Sequence, residues 1–207
     1  MLQQDTSYKI FGKEIKIELP EFREIKNDKN PYILGEIEKE GKRYTIYQGK
    51  NGLSIVPFSP DIYLDLILNL KTKEKDDGIF VDGNKEGFCI LDVQGGKIKK
   101  ILLYENKSTS NKNEFLAILY AYRIFKEEIK KGKNIFSDSK FAIDKTKNLY
   151  GIEAKKVKAH SGNLWNTIAD TLLKNIVLFK NLKNRKNYWT RLEFINLSYG
   201  DDRKENR

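Results

Sequence analysis

The chain has 207 residues, 39% hydrophobic and 12% aromatic against 33% charged, a composition that supports a packed core and excludes disorder throughout. Its net charge of +10 favours a polyanionic partner. A single cysteine, Cys89, excludes an internal disulfide, and one histidine leaves no Cys/His zinc site to complete. The first residues, MLQQDTSYKIF, lack a basic region followed by an apolar one, and no run of about 18 apolar residues occurs. A monomeric cytoplasmic protein with no membrane contact is expected.

Residues 7–58 read mostly as strands. YKIFGKEIKIEL alternates apolar and charged residues around a glycine, and the stretch from Tyr32 to Phe58 reads as three strands joined by tight turns at Glu40-Gly41 and Asn51-Gly52. SPDIYLDLILNL follows as a helix, with Ser59 placed to cap it, Pro60 in the first turn, and an apolar stripe of Ile62, Tyr63, Leu66, Ile67 and Leu70. The charged run KTKEKDDG marks a boundary near residue 75. Residues 1–75 are expected to form a small β-rich domain. Its 13 basic and 12 acidic residues argue against a strong phosphate clamp, and either a substrate-binding or a protein-interaction module is expected.

From residue 79 the pattern changes. IFVDG is a short apolar strand ending in an acid, and FCILDVQGGKIKKILLYEN is a hairpin turning at Gly95-Gly96. A helix follows from the STSN segment to Gly132, then the strand NIFSDSK, the helix KFAIDKTKNL, the strand EAKKVKAH, and the helix that Asn163 opens. The order β-ββ-α-β-α-β-α over residues 76–180 predicts an α/β unit: a mixed five-stranded sheet flanked by helices. Residues 181–207 form a basic and aromatic extension, interleaving Arg185, Lys186 and Arg191 with Tyr188, Trp189 and Phe194, and end in a polar tail. Such interleaving suits nucleic acid, while packing on the core is the plainer alternative.

Four acids stand out. Asp82 and Asp138 each end an apolar strand, where ligand sites gather in open α/β sheets. Glu114 lies near the start of the long helix, and Asp170 interrupts the apolar face of the last one. Taken singly, Glu114 reads as a partner of the helix dipole and Asp170 as a solvated position. Taken together, four converging carboxylates would repel one another unless divalent cations neutralise them. Hard oxygen ligands suit Mg²⁺ or Mn²⁺.

The motifs Val81-Asp82-Gly83, Thr109-x-Asn111-x-x-Glu114-Phe115-x-Ala117, Ser137-Asp138-Ser139 and His160-Ser161-Gly162-Asn163, with Asn166 and Ala169-Asp170 after it, occur in this order over residues 79–175. Together they resemble the ribonuclease H family of the type that cleaves RNA in RNA–DNA hybrids. The resemblance covers about half of the chain. It implies a ribonuclease H-like fold and two Mg²⁺ ions, with Mn²⁺ as a substitute, held by Asp82, Glu114, Asp138 and Asp170. It also implies a mobile loop in which His160 assists proton transfer or product release, and a hybrid substrate contacted by Gly83, Asn84, Thr109, Ser110, Asn111, Ser139 and Lys140. The implied reaction is endonucleolytic hydrolysis of the RNA strand to 5′-phosphate products. The chain departs from the family pattern in its short turn Asn84-Lys85-Glu86-Gly87, in Lys140 two places after the third acid, and in having no room for a basic loop between residues 139 and 159. The alternatives are a same-fold nuclease acting on DNA, as resolvases and transposases do, and a non-catalytic nucleic-acid-binding module.

Overall fold

The computed structural model describes residues 7–25, 30–49, 52–73, 77–158, 163–182 and 192–196. β1 (Tyr8–Ile10) and β2 (Lys13–Ile17) form a hairpin. β3 (Phe22–Glu24), β4 (Ile33–Lys39), β5 (Lys42–Gly49) and β6 (Gly52–Val56) form a four-stranded antiparallel sheet. The predicted turn at Glu40-Gly41 is present, with both residues left-handed (φ 53° and 73°), the geometry that lets a two-residue hairpin follow the strand twist. α1 (Pro60–Leu68) starts at the predicted proline, and β7 (Leu70–Thr72) then returns to pair with β2. Ser59 differs from expectation. Its hydroxyl donates to the Asp61 carboxylate (2.6 Å) and makes no side-chain cap to the helix backbone.

The second half is built on alternation. β8 (Gly78–Gly83), β9 (Gly87–Gln94) and β10 (Lys97–Glu105) form an antiparallel meander, with the predicted turn at Gly95-Gly96. α2 (Ser110–Ile124), α3 (Lys126–Lys130), β11 (Ile135–Ser137), α4 (Lys140–Tyr150), β12 (Lys155–Lys156), α5 (Leu164–Lys174) and α6 (Ile176–Asn181) follow, and the last strand is β13 (Leu192–Asn196). The sheet order is β12-β11-β8-β9-β10-β13, with β11 and β12 parallel to β8 and β13 parallel to β10. The class is thus mixed α/β, as expected, but the sheet has six strands rather than five. The added strand comes from the C-terminal extension. The strand read over residues 153–160 is only two residues long, and the long helices break at Phe125 and Asn175.

Side chains of period two divide the sheet into two buried faces. Ile79, Val81, Phe88, Ile90, Leu102 and Tyr104 pack with Ala117, Ile118 and Ala121 of α2 and Ala142 of α4. The alternate set, Phe80, Cys89, Leu91, Ile101 and Leu103, packs with Trp165, Ile168, Leu172 and Leu173 of α5. That second cluster does not stop at residue 75. Ile15, Leu53, Ile62, Tyr63, Leu66, Ile67 and Leu70 belong to it, so the N-terminal strands and α1 share one core with α5.

This shared core has a consequence for truncation. A buried side chain of this size contributes about 1.5–3 kcal/mol, and whole domains are stable by only about 5–15 kcal/mol. Removing residues 1–75 is expected to abolish a cooperative thermal transition in residues 76–207, measured by circular dichroism. A cooperative melt near the full-length temperature would contradict a shared core.

Candidate metal centre

Asp82 is the fifth residue of β8 and Asp138 follows β11, so both sit at the C-terminal ends of neighbouring parallel strands. Glu114 is brought to them by a close approach of backbone to backbone. A Cβ at Gly83 would lie 2.4 Å from the Glu114 nitrogen, so only glycine allows the end of β8 to meet α2 at this point. Asn113 fixes the approach. It is fully buried, and its amide donates to the backbone oxygens of Asn84 (2.6 Å) and Asn106 (2.8 Å). Its oxygen accepts from the Asn106 amide (2.8 Å). Thr109 caps α2 by accepting from the Lys112 N–H (3.2 Å).

The result is a carboxylate cluster. Asp82, Glu114 and Asp138 each offer an oxygen, and the three oxygens lie within 4.8 Å of one another. Burial raises the Asp82 carboxyl well above its ordinary range, and the charges of Asp138, Asp170 and Glu114 add to this, opposed by the Gly83 N–H that donates to Asp82 (2.8 Å). Burial also raises Glu114, opposed by the Ser139 hydroxyl that donates to its Oε2 (2.6 Å), while Asp138 raises it further. Asp138 accepts from the amide of Asn166 (3.1 Å), a residue 1% exposed whose own Oδ1 is buried with no partner.

Asp170 stands apart. It lies on α5 near enough for its charge to raise Asp82, but it is outside the three-residue cluster, and its Oδ2 accepts from Lys174 one turn on (2.6 Å). His160, with Ser161 and Gly162, falls outside the described residues.

The residues expected to contact substrate divide. Gly83 is buried and its N–H is engaged by Asp82; Ser139 holds Glu114 and caps α4, accepting from the Ala142 N–H (3.2 Å). Asn84 turns its side chain onto the Glu86 and Gly87 N–H groups (2.8 and 3.2 Å). Thr109, Asn111 and Lys140 are exposed and Ser110 is half-buried. The supports Asn113, Ser139 and Asn166 were not legible as such from spacing, although Asn166 belongs to the quoted motif. The Asp170–Lys174 pair follows from i,i+4 helix spacing.

Three carboxylates in partial burial can ligate a hard divalent cation, which takes oxygen ligands and retains several waters. No helix among the described residues is long and apolar enough to cross a membrane. Compared with known proteins, the chain matches no family model and no curated protein.

The raised Asp82 carboxyl sets a test. In chelator at neutral pH, Asp82→Asn removes a desolvated charge and its repulsion from Asp138 and Asp170. The variant is expected to gain about 1 kcal/mol, read as roughly 2–4 °C in melting temperature. Because the folded-state carboxyl is raised, falling pH protonates wild-type Asp82 and removes the penalty, so the gap narrows towards acid pH. Mg²⁺ is expected to raise the melting temperature of the wild type more than that of the variant. A less stable variant in chelator would contradict the electrostatic crowding. Gly83→Ala is expected to destabilise the fold, since its Cβ meets backbone that cannot rotate away.

Proposed function

We propose that the chain is a metal-dependent endonuclease of ribonuclease H type that hydrolyses the RNA strand of RNA–DNA hybrids, leaving 5′-phosphate ends. The observation that carries this reading is the meeting of Asp82 and Asp138, at the ends of adjacent strands, with Glu114 of α2 within 4.8 Å. The motif order quoted above supports it, and a ribonuclease H-like fold is part of the same proposal. Divalent cations, Mg²⁺ or Mn²⁺, would supply Lewis acidity and lower the pKa of a bound water.

The chain's own residues do the rest. Asp82, Glu114 and Asp138 are the ligands, with Asp170 as the fourth acid from the α5 side. Ser139 orients Glu114, and Asn166 orients Asp138. Thr109 and Asn111 lie exposed at the start of α2, the helix that carries Glu114. Small polar groups there suit 2′-hydroxyls in a wide minor groove, which selects RNA by shape with little sequence preference. His160 is assigned proton transfer or product release.

Matched RNA–DNA hybrid, DNA duplex and RNA duplex test the proposal directly. The wild type is expected to cut the hybrid in Mg²⁺, to stop in EDTA, and to lose cleavage on Asp138→Asn, which keeps volume but removes a ligand charge. Cleavage of DNA duplex in preference to hybrid would replace RNA selectivity with a DNA nuclease. Undiminished cutting by Asp138→Asn would remove the metal assignment. His160→Ala is expected to slow turnover by no more than about the 10²–10⁴-fold that a proton-transfer group contributes, leaving measurable cleavage.

A further inference from the structure

Beside the carboxylate cluster lies an open cleft of about 530 Å³, lined by Asp138, Lys156, Val157 and Lys158. Its two lysines stand where the neighbouring strands place acids. β8, β11 and β12 are consecutive parallel strands, and their C-terminal ends carry in turn Asp82, Asp138 and the Lys156–Lys158 segment. That segment is pinned. β12 pairs with β11 at Ser137, and the Val157 N–H donates to the Ser137 oxygen (2.9 Å), one residue before Asp138. Extended backbone puts residues two apart on the same side, which places Lys156 and Lys158 together. Both are exposed, and among the described residues neither has a carboxylate partner, unlike Lys174 beside Asp170 or Lys133 beside Asp92.

We propose that this cleft is a phosphate subsite for the sugar–phosphate backbone of the nucleic acid, with Lys156 and Lys158 as its cations. The proposal rests on the nuclease reading and says where the strand leaves the metal centre. Adjacent strands of a sheet are about 4.8 Å apart, so β12 lies roughly one such step from Asp138. A nucleic-acid strand advances about 3.4 Å per phosphate. A phosphate in the cleft therefore sits within one or two nucleotides of one held at the cluster. A ligand that meets divalent cations at one point and two ammonium groups at the next is a polyanion with closely spaced charges. A single carboxylate or phosphate ion would span only one of the two. The departures noted in the sequence fit this picture: with no room for a basic loop before residue 159, lysines at the end of β12 take a position from which phosphate can be held.

The test is the salt dependence of binding. Fluorescence anisotropy with a labelled RNA–DNA hybrid is followed in EDTA over a series of salt concentrations, for the wild type, for Lys156→Ala with Lys158→Ala, and for a control lacking Lys126 and Lys131. The control lysines are exposed and lie at the other end of α2 from Glu114. Each phosphate contact contributes about 0.7–0.9 to the slope of log K against log salt. The double variant is expected to lose about 1–2 from that slope and to bind at least several-fold more weakly at low salt, with the control close to wild type and all melting temperatures alike. Restoring charge with Lys156→Arg and Lys158→Arg is expected to restore the slope. An unchanged slope in the double variant, an equal loss in the control, or no hybrid binding by the wild type would overturn the subsite. Cleavage in Mg²⁺ by the wild type reads the nuclease assignment separately. A wild type that binds with the steep slope and cuts nothing removes that assignment and leaves the phosphate subsite standing.

Discussion

Three carboxylates held within 4.8 Å of one another, one of them 9% exposed, are an electrostatic cost that the fold maintains. Every neighbouring choice serves that crowding. Gly83 gives up its side chain so that α2 reaches the end of β8. Asn113 spends all its hydrogen-bonding groups on tying α2 to the two chain segments beside it. Ser139 and Asn166 each hold one acid through a hydrogen bond to a single carboxylate oxygen. Burial and the neighbouring carboxylates raise both Asp82 and Glu114, so the charged forms of these two acids are held at a cost to the fold.

Much of this was legible in the sequence, for specific reasons. Strands β8 and β9 and the second half of β10 carry apolar runs because both sheet faces are covered, and the glycine turn between β9 and β10 is explicit. The acids were visible because they interrupt apolar patterns: Asp82 after Ile79-Phe80-Val81, and Asp170 among Ile168, Ala169 and Leu172. Other features carry no local signal. β3 and β7 are three residues each, too short for periodicity to register. β13 lies within an extension that reads as basic and aromatic, yet it forms an edge of the sheet, paired with β10 from a distance of nearly a hundred positions in sequence. Tertiary pairing of this kind overrides local composition.

The charged run near residue 75 separates two composition regimes without separating two cores. Tyr63 on α1 shows why. It is 1% exposed, lies against Phe179 of α6, and shares a hydrogen bond with Thr171, the residue after Asp170. The N-terminal half thus supports the helix that carries the fourth acid. Polar residues between two apolar segments report where the chain surfaces, and say nothing of whether the segments meet again. The set of acids shows the same distinction between sequence and space. All four occur in the expected order, but three cluster tightly while Asp170 is held by Lys174. An i,i+4 lysine on a helix is a local device, whereas the meeting of Asp82, Glu114 and Asp138 depends on long-range packing through Gly83.

Whether the cluster holds cations is the claim from which the proposed activity follows. Crystals grown with Mn²⁺ and measured for anomalous scattering address it without any assay of turnover. The account predicts an anomalous peak at roughly 2.0–2.3 Å from oxygens of Asp82, Glu114 and Asp138, reduced or absent in Asp138→Asn crystals grown the same way. Diffraction with no peak among these three carboxylates at saturating Mn²⁺ would contradict it.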